Sequence, residues 1–321
     1  MLGWVRGPSL CGHPHNRASS GCVSIASSLG IAIFDYADLT PRFMHSASVA
    51  PQPIEYTAAF AARPSITHVL FDFDGTLSII REGWPNVMVP MFLEMIPSRP
   101  GETEEQLRQL LTDDILRLNG KQTIYQMMQF AERIQERGGN PKEPLWYKHE
   151  YLRRLNERIE TRLQGLQSGE KKPVDFLVHG SRALLESLRA RGLTLYLASG
   201  TDEVFVKKEA ELLQVTEFFG PHIYGAKDDY KAFSKAMIID KILKDHGVPG
   251  AQLLAFGDGY VEIQNTKQVG GMAIAVASDE AHNGSGQVDP WKRERLLGVG
   301  ADVVIPDYRD AETLLSRIFS R

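Results

Sequence analysis

The run Asp72-Phe73-Asp74-Gly75-Thr76 follows an unbroken apolar stretch, Val69-Leu70-Phe71. A short apolar run that ends in a polar turn is how a buried strand delivers side chains to its carboxyl edge. Two carboxylates two residues apart can there face one crevice. One can attack an electrophile such as phosphorus, and the other can serve as acid on the departing oxygen and then as base on water. Gly75 permits the tight turn. A second apolar run, Leu195-Tyr196-Leu197-Ala198, ends in Ser199-Gly200-Thr201. A hydroxyl and backbone N–H groups at such a strand-to-helix turn suit phosphate oxygens, and simple helix capping by Ser199 or Thr201 is the alternative. No histidine is placed to make Ser199 a nucleophile. Lys235 opens a helix, where its charge opposes the macrodipole and points to an anionic partner; Lys231 is the neighbouring competitor. Finally, Phe256-Gly257-Asp258-Gly259-Tyr260-Val261-Glu262 brings carboxylates to the end of another apolar strand. Hard oxygens arriving from two strand ends suit Mg²⁺, which keeps several waters and takes few protein carboxylates; the plain alternative is an Asp-Gly turn.

The elements needed to position these groups are legible around them. Strands are expected over 66–71, 193–198, 252–256, 272–276 and 302–305. Helices are expected over 202–213 with Thr201 as N-cap, over 235–246 with Gly247 at C′, and over 311–319. Strand-helix alternation implies a parallel sheet with helices on both faces, and ligands then bind beyond the carboxyl ends of the strands. Residues 84–172 differ. Their apolar side chains recur at three and four, as in Leu107, Leu110, Leu111, Ile115 and in Ile124, Met127, Met128, Ala131, Ile134, with helices over 103–117, 123–137 and 146–166. This helical insert enters beside the first motif, where a lid would be useful. The core is therefore expected over 64–83 and 173–321, split by the insert. Residues 1–63, rich in Ser, Pro and Ala, have no sustained period and read as a disordered extension.

Composition excludes other classes. The chain has 321 residues, 43% of them hydrophobic, and a net charge of −4. That is ordinary globular composition, and it argues against a nucleic-acid binder that works by neutralising phosphates. The two cysteines are Cys11 and Cys22, so the main body holds no thiol nucleophile, thiolate zinc site or disulfide framework. This fits a reducing, cytoplasmic compartment. Cys11, His13, His15 and Cys22 match no standard zinc-finger spacing. The apolar run over 23–34 is shorter than the roughly 20 residues a membrane span needs, and no small-residue cleavage site follows it. Arginine and serine with few acids before Asp35 give a faint organellar transit composition; a bare extension, or a start at Met44, is the reading adopted. The charge run Trp291-Lys292-Arg293-Glu294-Arg295 reads as a solvated helix face without function.

Taken in order, the four motifs resemble those of the haloacid dehalogenase-like superfamily: D-x-D-G-T, then a serine or threonine ending a core strand, then a lysine, then G-D-x-x-x-D. The resemblance runs from about Ile66 to the end. It implies an α/β fold, a doubly wound, Rossmann-like parallel-sheet core with an inserted all-helical cap. It also implies Asp72 as the nucleophile that forms an aspartyl-phosphate, and Asp74 as acid and base. Ser199, Gly200 and Lys235 would hold the transferring phosphoryl group, and Asp258 would join Asp72 and the Asp74 backbone carbonyl around Mg²⁺. Glu262 stands where these phosphatases carry Asp, with two roles open to it: binding metal through water, or orienting Lys235. Dehalogenase members lack the second carboxylate, so Asp74 argues for phosphate. P-type ATPases share the chemistry but need membrane-spanning helices.

The insert resembles the caps of phosphoglycolate-phosphatase-like and sugar-phosphatase-like members. The expected activity is Mg²⁺-dependent hydrolysis of a small-metabolite phosphate monoester, by a monomer or homodimer with no nucleic-acid or membrane partner. A sugar phosphomutase or other phosphoryl transferase would share every core residue, and a catalytically silent binding module is the third reading. Arg81 and Trp84, at the hinge into the insert, and Lys121 and Gln122, after the break Asn119-Gly120, are the candidates for contacting substrate.

Overall fold

The computed structural model describes residues 50–320. The first elements are β1 (Glu55–Tyr56), β2 (His68–Phe71), then four helices, α1 (Pro85–Met95), α2 (Glu104–Arg117), α3 (Thr123–Glu136) and α4 (Pro144–Ser168). There follow α5 (Ser181–Ala190), β3 (Thr194–Asp202), α6 (Glu203–Leu212), α7 (Thr216–Phe219), β4 (Ile223–Ala226) and α8 (Lys235–His246). The chain closes with β5 (Leu253–Gly257), α9 (Tyr260–Gln268), β6 (Met272–Val276), α10 (Pro290–Gly298), β7 (Val303–Ile305) and α11 (Ala311–Ile318). The sheet order is β1-β7-β6-β5-β2-β3-β4, with every pair parallel except β1 on β7.

β2 lies between β3 and β5 and is buried along its whole length. Its side chains alternate between faces: Val69 and Phe71 enter one hydrophobic cluster, and Leu70 joins Tyr196, Ala198 and Leu253 in another. That is the expected doubly wound α/β arrangement. It sets Asp72 at the carboxyl edge with β3 on one side and β5 on the other.

The start of order differs from the sequence expectation. Residues 50–63 were expected in the extension, yet Glu55 and Tyr56 pair with Val304 and Val303. Thr57 Oγ1 donates to the carbonyl of Asp302 at 3.0 Å, and Arg293 holds Glu55 with contacts of 2.6 and 2.7 Å. The reason is that β7 would otherwise end the sheet with unpaired backbone groups, and two residues suffice to cover it. A strand that short leaves no period to read. The readings of a targeting segment, of the Cys11–Cys22 cluster and of Met44 all fall outside the described residues.

Two further boundaries moved. α1 was not expected, because Pro85 and Pro90 interrupt its pattern. Thr201 does not cap a helix: β3 runs on to Asp202, past an irregular register with β4, and α6 begins at Glu203 without a side-chain cap. The overshooting strand carries Ser199, Gly200 and Thr201 past the end of β2, in the irregular stretch between the paired Ala198 and Asp202.

The insert packs on itself through Phe92 and Phe130, stacked at 3.8 Å, and through Phe130 edge-on to Tyr147. It is tied to the core by buried Lys148 on α4, whose Nζ lies 2.7 Å from Asp202 at the end of β3. No described helix is long and apolar enough to cross a membrane.

At the amino edge of the sheet, His68 and His246 lie ring to ring at 4.6 Å, and Tyr196 bridges to His246 Nε2 at 2.7 Å. Burial, reinforced by neighbouring histidine, holds His68 and His222 below the usual imidazole range. The folded protein therefore refuses protons that the unfolded chain takes up below about pH 6.5. That stabilisation is complete above the unfolded value and is lost as pH falls toward the depressed folded values. Melting temperature should drop between about pH 7.5 and 5.5, and His68→Gln should make the drop shallower; an unchanged slope in the variant would contradict this assignment.

Candidate active site

Asp72 is the first residue past β2 and is buried. Its Oδ1 accepts from the Phe73 N–H at 2.8 Å and meets Lys235 Nζ at 2.8 Å. Its Oδ2 has no hydrogen bond among the described residues. Lys235 comes from the first turn of α8, which Ser234 caps by accepting from the Met237 N–H at 3.1 Å. The other partner of Lys235 Nζ is Glu262 Oε2, also at 2.8 Å. Glu262 Oε1 accepts from the Gly259 N–H at 2.7 Å. Of the two roles open to Glu262, orienting Lys235 is the one its contacts display, and the extra methylene over Asp lets it span the lysine and the Gly259 backbone together. Glu262 also remains close to the other acids: one oxygen each of Asp72, Asp258 and Glu262 lies within 4.8 Å of the others.

The charges here are coupled by burial. Desolvation pushes the Asp72 carboxyl well above its ordinary value; Lys235 pulls it down, and Glu262 and Asp258 push it up again. Burial works against the Lys235 ammonium, but Asp72 and Glu262 outweigh it and the lysine stays charged. Lys235 meets two buried carboxylates, Asp72 and Glu262, and a third, Asp258, converges with them, so the donor set suits a divalent cation of hard-oxygen preference.

Asp74 faces the same cavity and is held by the overshooting end of β3. Thr201 Oγ1 donates to its Oδ2 at 2.8 Å and Ser199 Oγ at 3.2 Å. Its Oδ1 is buried without a hydrogen bond among the described residues, 3.8 Å from Arg81 Nε. Arg81 is itself clamped by Glu209 of α6, with contacts of 2.6, 3.1 and 3.1 Å. Asp258 is fixed by Thr76, whose Oγ1 accepts from its N–H at 3.0 Å. Gly75 has φ +74°, and a Cβ there would stand 2.2 Å from Asp258 Oδ2, so glycine is required both for the turn and for the approach of the two loops.

A cavity of about 70 Å³ joins these groups. Asp72, Asp74, Ser199, Gly200, Lys235 and Asp258 line it from the core, together with Arg81 and Trp84 at the hinge. Asn119, Gly120, Lys121 and Tyr151 line it from the insert. Gln122 does not. Its amide donates to the carbonyls of Tyr230 and Phe233 at 2.9 and 2.7 Å, fastening the insert loop to the core. Arg81 reaches the cavity wall with its charge already committed to Glu209. The loop is seated closely: a Cβ on Gly120 would come to 3.0 Å from the Gly259 Cα.

Sequence reasoning missed Glu209 and Tyr151, and read Thr201 as a cap. It also misread the charge run on α10, which is not a solvated face. Lys292 is buried, with Nζ 3.0 Å from Asp258 Oδ2, and Arg293 pairs with Glu55. Arg295 donates to the carbonyls of Leu116 and Arg117, the latter at 2.6 Å, closing the end of α2. The partners are more than a hundred residues away in sequence or on a different element, so the run itself carries no sign of them.

No curated protein sequence matches the chain. Solved structures do share its fold. A predicted phosphoglycolate phosphatase from Haemophilus somnus 129PT is 13% identical, with 78% of this chain and 98% of that one covered at a TM-score of 0.52. A predicted phosphatase from Clostridium acetobutylicum is 17% identical over 78% and 99% of the two chains, also at 0.52. A β-phosphoglucomutase from Clostridium difficile is 11% identical over 79% and 97%, again at 0.52. At such identities the likeness is one of fold. The family model of the haloacid dehalogenase-like hydrolases matches residues 66–270, more than half of the chain and all four motifs up to Glu262. The chain therefore belongs to the haloacid dehalogenase-like hydrolase family.

Proposed function

We propose that this protein is a Mg²⁺-dependent phosphatase that hydrolyses a small phosphate monoester through an aspartyl-phosphate on Asp72. The observation that carries the reading is the asymmetry of Asp72: Oδ1 is held by Phe73 N–H and Lys235, while Oδ2 is free of hydrogen bonds among the described residues and the residue lines the cavity. An oriented carboxylate with one free oxygen is a nucleophile in waiting. Lys235, the Ser199 hydroxyl and the Gly200 N–H are the groups that would receive the phosphoryl oxygens. Asp74 would protonate the departing ester oxygen as Asp72 Oδ2 bonds to phosphorus. It would then take a proton from the water that attacks the aspartyl-phosphate, regenerating Asp72 and releasing phosphate. Magnesium held by Asp72, Asp258 and the Asp74 backbone carbonyl, with Glu262 beside them, would neutralise the two anions that must meet.

The residues 84–172 are read as a cap over this site, held down by Gln122, Lys148 and Arg295. The small cavity suits a small phosphorylated metabolite, with Trp84, Lys121 and Arg81 as the contacts for its remainder. A phosphoryl transferase such as a sugar phosphomutase would use the same core and differ in its tolerance of water; dependence on a bisphosphate activator would distinguish it. The cysteine-free body fits a reducing, cytoplasmic setting.

Phosphate release from a panel of sugar phosphates, phosphoglycolate and nucleotides should require Mg²⁺. It should fall by about 10³-fold or more in Asp72→Asn; metal-independent release, or release retained by that variant, would overturn the assignment. Thr201→Val removes a donor to Asp74 and should lower kcat by roughly 10–100-fold with little change in KM. Wild-type kcat in that variant would show that Asp74 is oriented by other means.

A further inference from the structure

Lys292 is buried beside the site, and the reaction above gives it no part. Its Nζ lies 3.0 Å from Asp258 Oδ2, 2.6 Å from Glu280 Oε1 and 3.2 Å from Ser278 Oγ. The Ser278 hydroxyl in turn donates to the Gly75 carbonyl at 2.6 Å. The ammonium is thus seated under the loop that carries Asp72 and Asp74. The missing side chain of Gly75 makes the room: a Cβ there would stand 2.2 Å from Asp258 Oδ2 and 2.9 Å from Glu280 Oε1. Residues from the loop after β2, the loop after β5, the loop after β6 and the first turn of α10 converge to build this chain of charges.

Asp258 is one of three converging acids, the others being Asp72 and Glu262. It therefore answers to two cations, the lysine fixed at one oxygen and any metal drawn to the acid cluster. Like charges a few ångströms apart in a site shielded from water repel strongly. The lysine cannot diffuse away, because α10 holds it and Glu280 anchors it.

We infer that Lys292 is a built-in counter-ion that competes with the divalent metal for Asp258 and keeps metal binding weak and exchangeable. Glu280 moderates it by drawing part of the ammonium charge to itself. Lys292 is thus a charge-balancing residue of the site and not a catalytic one. The inference rests on the metal reading proposed above.

The test is Mn²⁺ binding without substrate, followed by loss of the free-ion EPR signal, in the full chain and in Lys292→Gln, Lys292→Arg and Glu280→Gln. Lys292→Gln should tighten the dissociation constant by roughly tenfold, Lys292→Arg should leave it near wild type, and Glu280→Gln should weaken it by roughly tenfold. A residue of merely structural importance would loosen the site in both neutralising variants together. Affinity in folded Lys292→Gln equal to or weaker than wild type overturns the inference. Should that variant fail to fold, Glu280→Gln decides, and equal or tighter binding there overturns it. A wild-type chain that binds no Mn²⁺ removes the metal reading itself, whereas wild-type binding without the predicted opposite shifts removes only the role of Lys292.

Discussion

Electrostatic repulsion among Asp72, Asp258, Glu262 and Glu280, all packed at one edge of the sheet, is the constraint to which the surrounding structure answers. Burial alone pushes the carboxyls of Asp72, Glu262 and Glu280 toward their neutral forms. Carboxylates buried this close together stay ionised only where cations are delivered to them. Two arrive from helix N-terminal turns, Lys235 on α8 and Lys292 on α10. Both are unfavourable positions for a positive charge with respect to the helix dipole, and in both the ion pairs outweigh that small term. Glu262 extends the logic by tying Lys235 down, so the cation presented to Asp72 is fixed in place.

The second requirement is geometric. Asp74 lines the cavity together with Asp72, and its carboxyl is held by residues that β3 supplies where it runs on past the end of β2. β3 continues to Asp202, and its last turns of chain bring the Ser199 and Thr201 hydroxyls onto Asp74. The same strand end receives Lys148 from the insert. The position of Asp74 and the seating of the insert are therefore linked through one strand. Arg81 and Glu209 add a buried pair behind Asp74. Breaking such a pair by removing one partner costs about 3–5 kcal/mol, because it strands a charge in the interior.

Legibility in the sequence follows how local each feature is. The first and fourth motifs could be read because an apolar strand followed by a glycine-bearing acidic turn is a pattern confined to ten residues. Lys235 could be read only from its helix position together with its place in the order of the four motifs. Five core strands and three core helices followed from strand-helix alternation, with α8 and β6 at their expected bounds, whereas α5, α7, β4 and α9 were not expected. What escaped depends on distant partners. Lys292 finds Asp258 across the sheet edge, Arg81 finds Glu209 across 128 positions, and Gln122 finds Phe233 across 111. Neither spacing nor composition of the local run announces these pairings, so a buried lysine looked like one more solvated charge. β1 escaped for the opposite reason: two residues are too few to show any period, though they suffice to pair with β7.

The most direct test of this account is to ask which atom carries the phosphoryl group during turnover. A substrate identified by phosphate release would be mixed with the enzyme and Mg²⁺, quenched within a single turnover and reduced with borohydride, which converts an acyl-phosphorylated aspartate to homoserine. Peptide mass spectrometry should then find homoserine at Asp72, and aspartate unchanged at Asp74 and Asp258. Turnover with no reduction at Asp72, or with the label on another residue, would contradict the account.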